Sequence, residues 1–405
     1  MTTPLKGVRV LEVAIYAFVP SATAMLADWG ADVLKVEHPV TGDPGRNTAA
    51  WGVPAEVNGV SHLWEVANRG KRAIALDIAT PEGKEILLQL VDESDVFVTN
   101  FLPPARRKLG IEPEDILARN PRIVYARGSA QGPRGELAER GGFDAISYWG
   151  RSGAAIGVTP PDHEFPLTMP GPGFGDLQAG VAMAGGISAA LFKREKTGEG
   201  LVVDVSLMSM GLWAMGMTIS GTSVLDVDAL PHQSHAGSTN PLVNQYRTKD
   251  GHIVALAFLQ SDRYWPEFCI LVDRLDWLAD ERFTDAAARE VHRTECIELL
   301  EELFAQKTLE EWTPLLAQQD GQWDVLLPAG QVRRDAQAQA NGYVQCVQHD
   351  GDGKIVLVPA PAQFDGEVPQ LGRAPSLGAD TDDVLRARGL DDHAIADLRA
   401  RGIVR

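Results

Sequence analysis

Over the first 130 residues, short β-branched runs alternate with helix-period stretches, and this alternation constrains the fold more than any other feature. Val8–Val13, Asp32–Glu37, Ala73–Asp77, Asp95–Thr99 and Arg122–Ala126 each read as strands. Their near-continuous apolar character calls for burial on both faces, the condition of a parallel sheet covered by helices. Between them, Ser21–Trp29 and Pro81–Val91 place apolar side chains at helical spacing, with Ile86, Leu87, Leu90 and Val91 on one face. Thr80 followed by Pro81 is a helix cap and first-turn pair. The order predicts a doubly wound α/β domain.

The 405 residues exceed one average domain, which favours two domains or one large interwoven unit. A Pro- and Gly-rich stretch at Pro160–Gly175 leads into a small-residue helix, Leu177–Phe192. A turn at Lys196–Gly200 and a strand at Leu201–Leu207 follow. The next helix carries Met208, Met210, Trp213, Met215 and Met217, a composition suited to a core or a subunit interface. Val224–Asn240 is a polar, punctuated linker into a second unit, with strands near Tyr246–Phe258 and helices through about Lys307–Gln318. The chain then turns irregular, with a β-like run at Lys354–Val358 and a closing helix at Thr381–Gly389.

A net charge of −18 argues against nucleic acid as a partner, because phosphate binding needs a basic footprint. An anionic ligand would have to meet a local cluster of Lys and Arg against the global field. The first strand runs into Ala14–Pro20 without G-x-G-x-x-G, which disfavours NAD and FAD; P-loop and G-x-S-x-G patterns are missing too. Cys269, Cys296 and Cys346 form an odd set without metal-type spacing, so a disulfide framework is disfavoured and a reducing, cytoplasmic setting fits. No apolar run reaches membrane-spanning length. His232 and His235 are the one close histidine pair, in a loop without acidic or thiol partners at ligand spacing, so no metal is expected.

Two features stand out as candidate chemistry. Asp176 follows Pro170-Gly171-Pro172-Gly173-Phe174-Gly175 and precedes the Leu177–Phe192 helix. Its bland role is a helix N-cap. Its functional role is a carboxylate nucleophile, approached through a glycine-rich segment and kept ionised by the helix dipole. The basic stretches are Asn68-Arg69-Gly70-Lys71-Arg72, then Arg106-Arg107-Lys108, then Arg140. They are either solvated surface charge or seats for phosphate groups.

Several ordered segments together resemble the CaiB/BaiF family, the class III CoA-transferases. They include Pro4–Glu12, Leu26–Glu37, Asn68–Asp77 with its Gly-Lys-Arg, and Thr80-Pro81-Glu82-Gly83. Further along come Asn120-Pro121-Arg122, Gln131-Gly132-Pro133, Gly142-Phe143-Asp144, Gly175-Asp176, Arg194–Gly200 and Ala374–Gly378, so the resemblance spans nearly the whole chain. It implies a Rossmann-like large domain from residues 1–220 and 330–405, a smaller α+β domain over 225–325, and an interlocked homodimer. It also implies an acyl-CoA and a carboxylic acid as substrates, with no metal. Asp176 inherits the role of nucleophile, forming a mixed anhydride and then an aspartyl-CoA thioester.

By the same resemblance, coenzyme A contacts carry over to Ala17, Phe18, Leu76, Asp77, Asn100, Phe101, Gly142, Phe143 and the nearby Arg140. Lys108 replaces a family arginine and loses its bidentate fork. His38 stands where the formyl-CoA transferases carry a phosphate-binding arginine. Those enzymes also have a glutamine at the position of Ala17 and a glycine run in the small domain; neither is present here. An acyl group larger and more apolar than formyl or oxalyl is therefore expected, against Tyr16, Phe18 and Trp149. Two rivals are a racemase of α-methylacyl-CoA thioesters and an acyl-CoA binding protein without turnover. The first needs a histidine where Phe143 stands, and phenylalanine cannot move a proton, though Asp144 beside it could. The second would not need Asp176.

Overall fold

The computed structural model describes residues 2–47, 60–349 and 353–405. The predicted strands form one six-stranded parallel sheet. They are β1 (Arg9–Val13), β2 (Asp32–Glu37), β3 (Arg72–Ala75), β4 (Val96–Thr99), β5 (Val124–Ser129) and β6 (Val202–Ser206). The order β3-β2-β1-β4-β5-β6 reverses direction between β1 and β4, and ligands of doubly wound sheets bind outside the strand ends at such a reversal. Intervening helices are α1 (Phe18–Asp28), α2 (His62–Asn68), α3 (Pro81–Asp92), α4 (Pro103–Leu109) and α5 (Pro113–Arg119). As expected, Thr80 caps α3, its hydroxyl accepting from the Gly83 N–H at 3.1 Å. Then come α6 (Ala154–Val158), α7 (Phe174–Thr197), α8 (Leu207–Ala214) and α9 (Gly216–Leu225).

Two apolar layers sandwich the sheet. On one face α1 and α7 pack together through Val19, Ala22, Met183 and Ile187. Their contact is close: a Cβ on Gly180 would lie 2.2 Å from the Ser21 hydroxyl. On the other face α3 and α5 are joined by the C-terminal helices Thr381–Arg386 and Asp392–Ala400, which bring Leu385, Ile395 and Leu398 onto Ile74 and Leu87. The chain divides into two compact units, one of Met1–Thr159, Glu164–Leu230 and Asp335–Arg405, the other of Pro160–His163 and Pro231–Arg334. The second unit has an antiparallel sheet of β7 (Val243–Arg247), β8 (Ile253–Ala257) and β9 (Trp323–Val325). Its helices enclose an aromatic core of Tyr246, Trp265, Trp277, Phe304 and Trp312.

In the basic stretch Asn68–Arg72 the cations are spent on carboxylates of the chain itself, Arg69 and Lys71 in the interior and Arg72 at the surface. Arg69 forks onto Asp28, with both side chains buried, and Arg72 forks onto Asp32. Lys71 is fully buried, 2.7 Å from Glu12, which also holds Lys35 at 2.7 Å. Lys35 in turn pairs with Asp43 at 2.8 Å. All donors of Lys71 are spent inside, on Glu12, the Asn68 amide oxygen and the Pro20 carbonyl. Although burial alone would raise it, the two ammonium groups hold the Glu12 carboxyl down at about 2.

Of the two settings expected for the Met-rich segment, core or subunit interface, the single chain does not give it the first. It is two helices, α8 and α9, broken at Met215, and Trp213 and Met217 are largely exposed rather than core. The His235 ring, which offered a metal-type pair with His232, instead lies between the Asn244 amide oxygen at 2.8 Å and Glu301 at 2.7 Å. Among the described residues no helix is long and apolar enough to cross a membrane.

Removing the carboxylate of Glu12 leaves two buried ammonium groups short of a counter-charge. We expect Glu12→Gln to destabilise the protein by about 3–5 kcal/mol in a denaturant titration. A loss below about 0.5 kcal/mol would mean that the network does not hold the sheet together.

Candidate active site

A cavity of about 1000 Å³ opens at the carboxyl ends of β1, β4 and β5, at the reversal of strand order. The loop after β1 forms one wall, held by reciprocal bonds. The Ile15 N–H donates to the Asn100 amide oxygen at 2.9 Å, and the Asn100 amide donates to the Ile15 carbonyl at 2.7 Å. Tyr16 next adopts a left-handed backbone, φ 66°, which a bulky residue accepts only when its surroundings impose it. What imposes it here is Asp43, which accepts from the Tyr16 N–H at 3.0 Å and is itself gripped by Lys35.

The opposite wall is the Gly141–Phe143 loop. Gly142 lies against the end of β5 so closely that a Cβ would sit 3.0 Å from Ala130 and 2.5 Å from the Ser147 hydroxyl. Phe143, about half exposed, meets Tyr16 edge-on with ring centroids 5.3 Å apart. Leu102, Ile146 and Leu207 complete an apolar lining with Ile15 and Phe18.

Asp176 faces this cavity, but not as the helix cap expected of it. Helix α7 starts three residues earlier than its apolar pattern indicated, capped by Gly173 at φ 73°, so Asp176 sits inside the first turn. The early start depends on Gly175, whose Cα packs on the buried Tyr148 ring; a Cβ there would be 2.6 Å from it. Asp144 fastens the junction, accepting from the Gly175 N–H at 3.2 Å and from the Ala145 N–H at 2.9 Å.

Nor does the helix dipole decide the ionisation of Asp176. Burial, with the like charge of Asp144 added, pushes its carboxyl up to about 7. Among the described residues no hydrogen-bond donor or cation compensates it. The product is a carboxylate that water and protein stabilise poorly, suited to attack on an electrophile or to proton transfer near neutral pH.

Ten of the residues singled out from sequence line the cavity: Tyr16, Phe18, Asn100, Phe101, Arg106, Arg107, Arg140, Gly142, Phe143 and Asp176. Ala17, His38, Leu76, Asp77, Lys108, Asp144 and Trp149 lie outside its lining. Leu76 is buried, its backbone engaged with Glu37 and bridged to Val404, so its side chain offers a ligand no surface. Asp77 is turned toward its own chain, accepting from the Ala79 N–H. His38 is exposed, its Nδ1 accepting from the Val40 and Thr41 N–H groups at 3.2 Å, which leaves Nε2–H outward. Lys108 is exposed on α4. The Trp149 indole donates to the Leu167 carbonyl at 2.8 Å and its ring meets Phe174, so it braces the entry to α7 rather than the acyl wall.

Sequence reasoning missed Arg127 and Asp204, which face the cavity from adjacent strands in register. The signal was available, since each is a lone charge in an otherwise apolar strand, near the carboxyl end where ligands bind. Among the described residues no group of three or more His, Cys, Asp or Glu side chains is placed to hold a metal ion.

Residues 5–381 match CoA-transferase family III. The chain is 31% identical over 402 residues to a (R)-2-hydroxy-4-methylpentanoate CoA-transferase of Clostridioides difficile, covering 99% of each chain. It is 29% identical to a cinnamoyl-CoA:phenyllactate CoA-transferase of Clostridium sporogenes, covering 98% of this chain and 96% of that one. The solved structure of a CaiB/BaiF family protein from Brucella suis superposes with a TM-score of 0.80 at 27% identity, covering 96% of this chain and 100% of the other. With the parallel sheet, the cavity at its strand reversal and Asp176 facing that cavity, these matches make the chain a member of the CaiB/BaiF family, the family III CoA-transferases.

Proposed function

We propose that this CoA-transferase works through Asp176 as a covalent acyl and CoA carrier, moving CoA from an acyl-CoA to a free acid whose chain is larger and more apolar than formyl or oxalyl. The observation that carries the reading is the Asp176 carboxylate, raised by burial beside Asp144 and facing a cavity that it shares with the apolar side chains of Tyr16, Phe18 and Phe143. An Asp176 oxygen attacks the thioester carbonyl; the C–S bond breaks, and CoA thiolate and an aspartyl–acyl anhydride result. The thiolate attacks the Asp176 carbonyl, releasing the first acid as carboxylate and leaving an aspartyl-CoA thioester. The acceptor carboxylate then attacks that carbonyl, expelling the thiolate and forming a second anhydride. Attack of the thiolate on the acceptor's carbonyl frees Asp176 and the new acyl-CoA. Each step exchanges one acyl bond for another, so no external base is consumed.

Tyr16, Phe18, Leu102, Phe143 and Ile146 supply the acyl wall. Asn100, Phe101, Gly142 and Arg140 flank the approach for CoA, and Arg140 has no carboxylate partner among the described residues. His38 and Lys108 present outward donors suited to the nucleotide end, outside the cavity. We further propose a homodimer. Along α7 the exposed Phe174, Leu177, Val181 and Phe192 follow helical spacing, and α8 and α9 add Trp213, Met217 and Val224, the last three at least 80% exposed. So large an apolar face on a soluble chain marks an interface.

Three outcomes are expected. Incubation with acyl-CoA followed by hydroxylamine yields a hydroxamate on the Asp176 peptide by mass spectrometry, and Asp176→Ala lowers CoA exchange about a thousandfold or more; unchanged exchange would remove the covalent mechanism. The rate, kcat/KM, rises with pH through a limb near 7 as Asp176 loses its proton. Asp144→Asn, which deletes the like charge and keeps an acceptor for Gly175 N–H, moves that limb to lower pH; a limb that stays put would mean another group titrates. In sedimentation, the native chain runs as a dimer and Trp213→Glu shifts it toward monomer, whereas a native monomer at micromolar concentration would overturn the interface.

A further inference from the structure

The cavity does more than surround Asp176 with apolar side chains; charged side chains line it as well. Four arginines and five carboxylates face it, so the cavity is not a positive funnel. Three of the guanidinium groups are already committed. Arg106 donates to Glu112 at 2.9 Å and to the Phe101 carbonyl at 2.7 Å. Arg107 pairs with Glu139 at 2.7 Å. Arg127 lies side-on against Asp204, its Nε and Nη2 each donating to one carboxylate oxygen.

The last pair differs from the others in how it is held. Arg127 and Asp204 are direct partners in the parallel register of β5 and β6, so the backbone of the sheet presents them to each other. Asp204 is the sole charged residue of β6, in Val202-Val203-Asp204-Val205-Ser206, and an apolar residue would serve the strand equally well. The fourth guanidinium, Arg140, is the one assigned above to CoA. Once CoA is bound, a second anionic group entering with an acid finds no free cation among the described lining residues, while Glu114, with no cationic partner among the described residues, adds a negative charge to the lining.

Resting on the reading of Asp176 as the transferase carboxylate, we propose that Asp204 is a specificity-determining residue. By neutralising Arg127 on the cavity wall, it restricts the acceptor to monocarboxylic acids with an uncharged chain and rejects dicarboxylic acids. The physical reason is asymmetric. A distal carboxylate placed beside the Arg127–Asp204 pair would lose hydration and gain no partner, which costs far more than burying the corresponding methyl.

The test uses the full chain, with acetyl-CoA and phenylacetyl-CoA as donors and matched acceptors of equal length: butanoate against succinate, pentanoate against glutarate, hexanoate against adipate. The native enzyme is expected to favour the monoacid of each pair by about tenfold or more in kcat/KM, and Asp204→Asn to lower that ratio about tenfold by releasing Arg127 to bind the distal carboxylate. Adding Arg127→Gln to Asp204→Asn should restore the preference for the monoacid. Because each ratio is measured on one preparation, loss of folded protein cancels. Equal use of mono- and diacid by the native enzyme, or a ratio that Asp204→Asn does not move, overturns the role of Asp204. Absence of transfer to any acid from either donor overturns the transferase reading itself.

Discussion

The buried ion network of Glu12, Lys35, Lys71 and Asp43 underlies both the fold and the site. Glu12 comes from β1, Lys35 from β2 and Lys71 from the approach to β3, so three neighbouring strands are tied by charges that water does not reach. Such pairs stabilise little relative to an apolar core of the same shape, but they are costly to break and hence specify one arrangement. Here the specified arrangement extends outward. Asp43, held by Lys35, fixes the Tyr16 N–H and with it the strained backbone that turns the loop after β1 into the cavity.

At the cavity itself the electrostatic logic is inverted. Glu12 is surrounded by cations and kept ionised well below its ordinary range, whereas Asp176 is buried beside another carboxylate and pushed up to about 7. The first carboxylate is stabilised and inert. The second is left poorly satisfied, a condition under which a carboxylate is reactive near neutral pH. Glycines make the contrast possible: Gly173 and Gly175 let α7 begin early enough to deliver Asp176 to the cavity, on top of Tyr148 and within reach of the Asp144 charge.

Paired arginines and apolar side chains share the lining of the cavity. Tyr16 and Phe143, from the two walls, meet edge-to-face, while Arg106, Arg107 and Arg127 each face a carboxylate. On a chain of net charge −18, local pairing rather than the global field decides what an anion meets at the site.

The strand sequence, its parallel pairing and the helices between were legible from hydrophobic periodicity, because strands buried on both faces leave continuous apolar runs. Family membership was legible from ordered motifs, which also singled out Asp176, a carboxylate that faces the cavity. Periodicity could not show which charges are spent. Lys71 and Arg69 read as free cations along the chain, and only the folded sheet places them against Glu12 and Asp28, residues far away in sequence. Equally hidden were the true start of α7, set by the close approach of Tyr148 to Gly175, and the pairing of Arg127 with Asp204 across two strands. Local pattern carries short-range preference and burial; the ionisation of a carboxylate and the availability of a cation depend on partners that the chain brings together only when it folds.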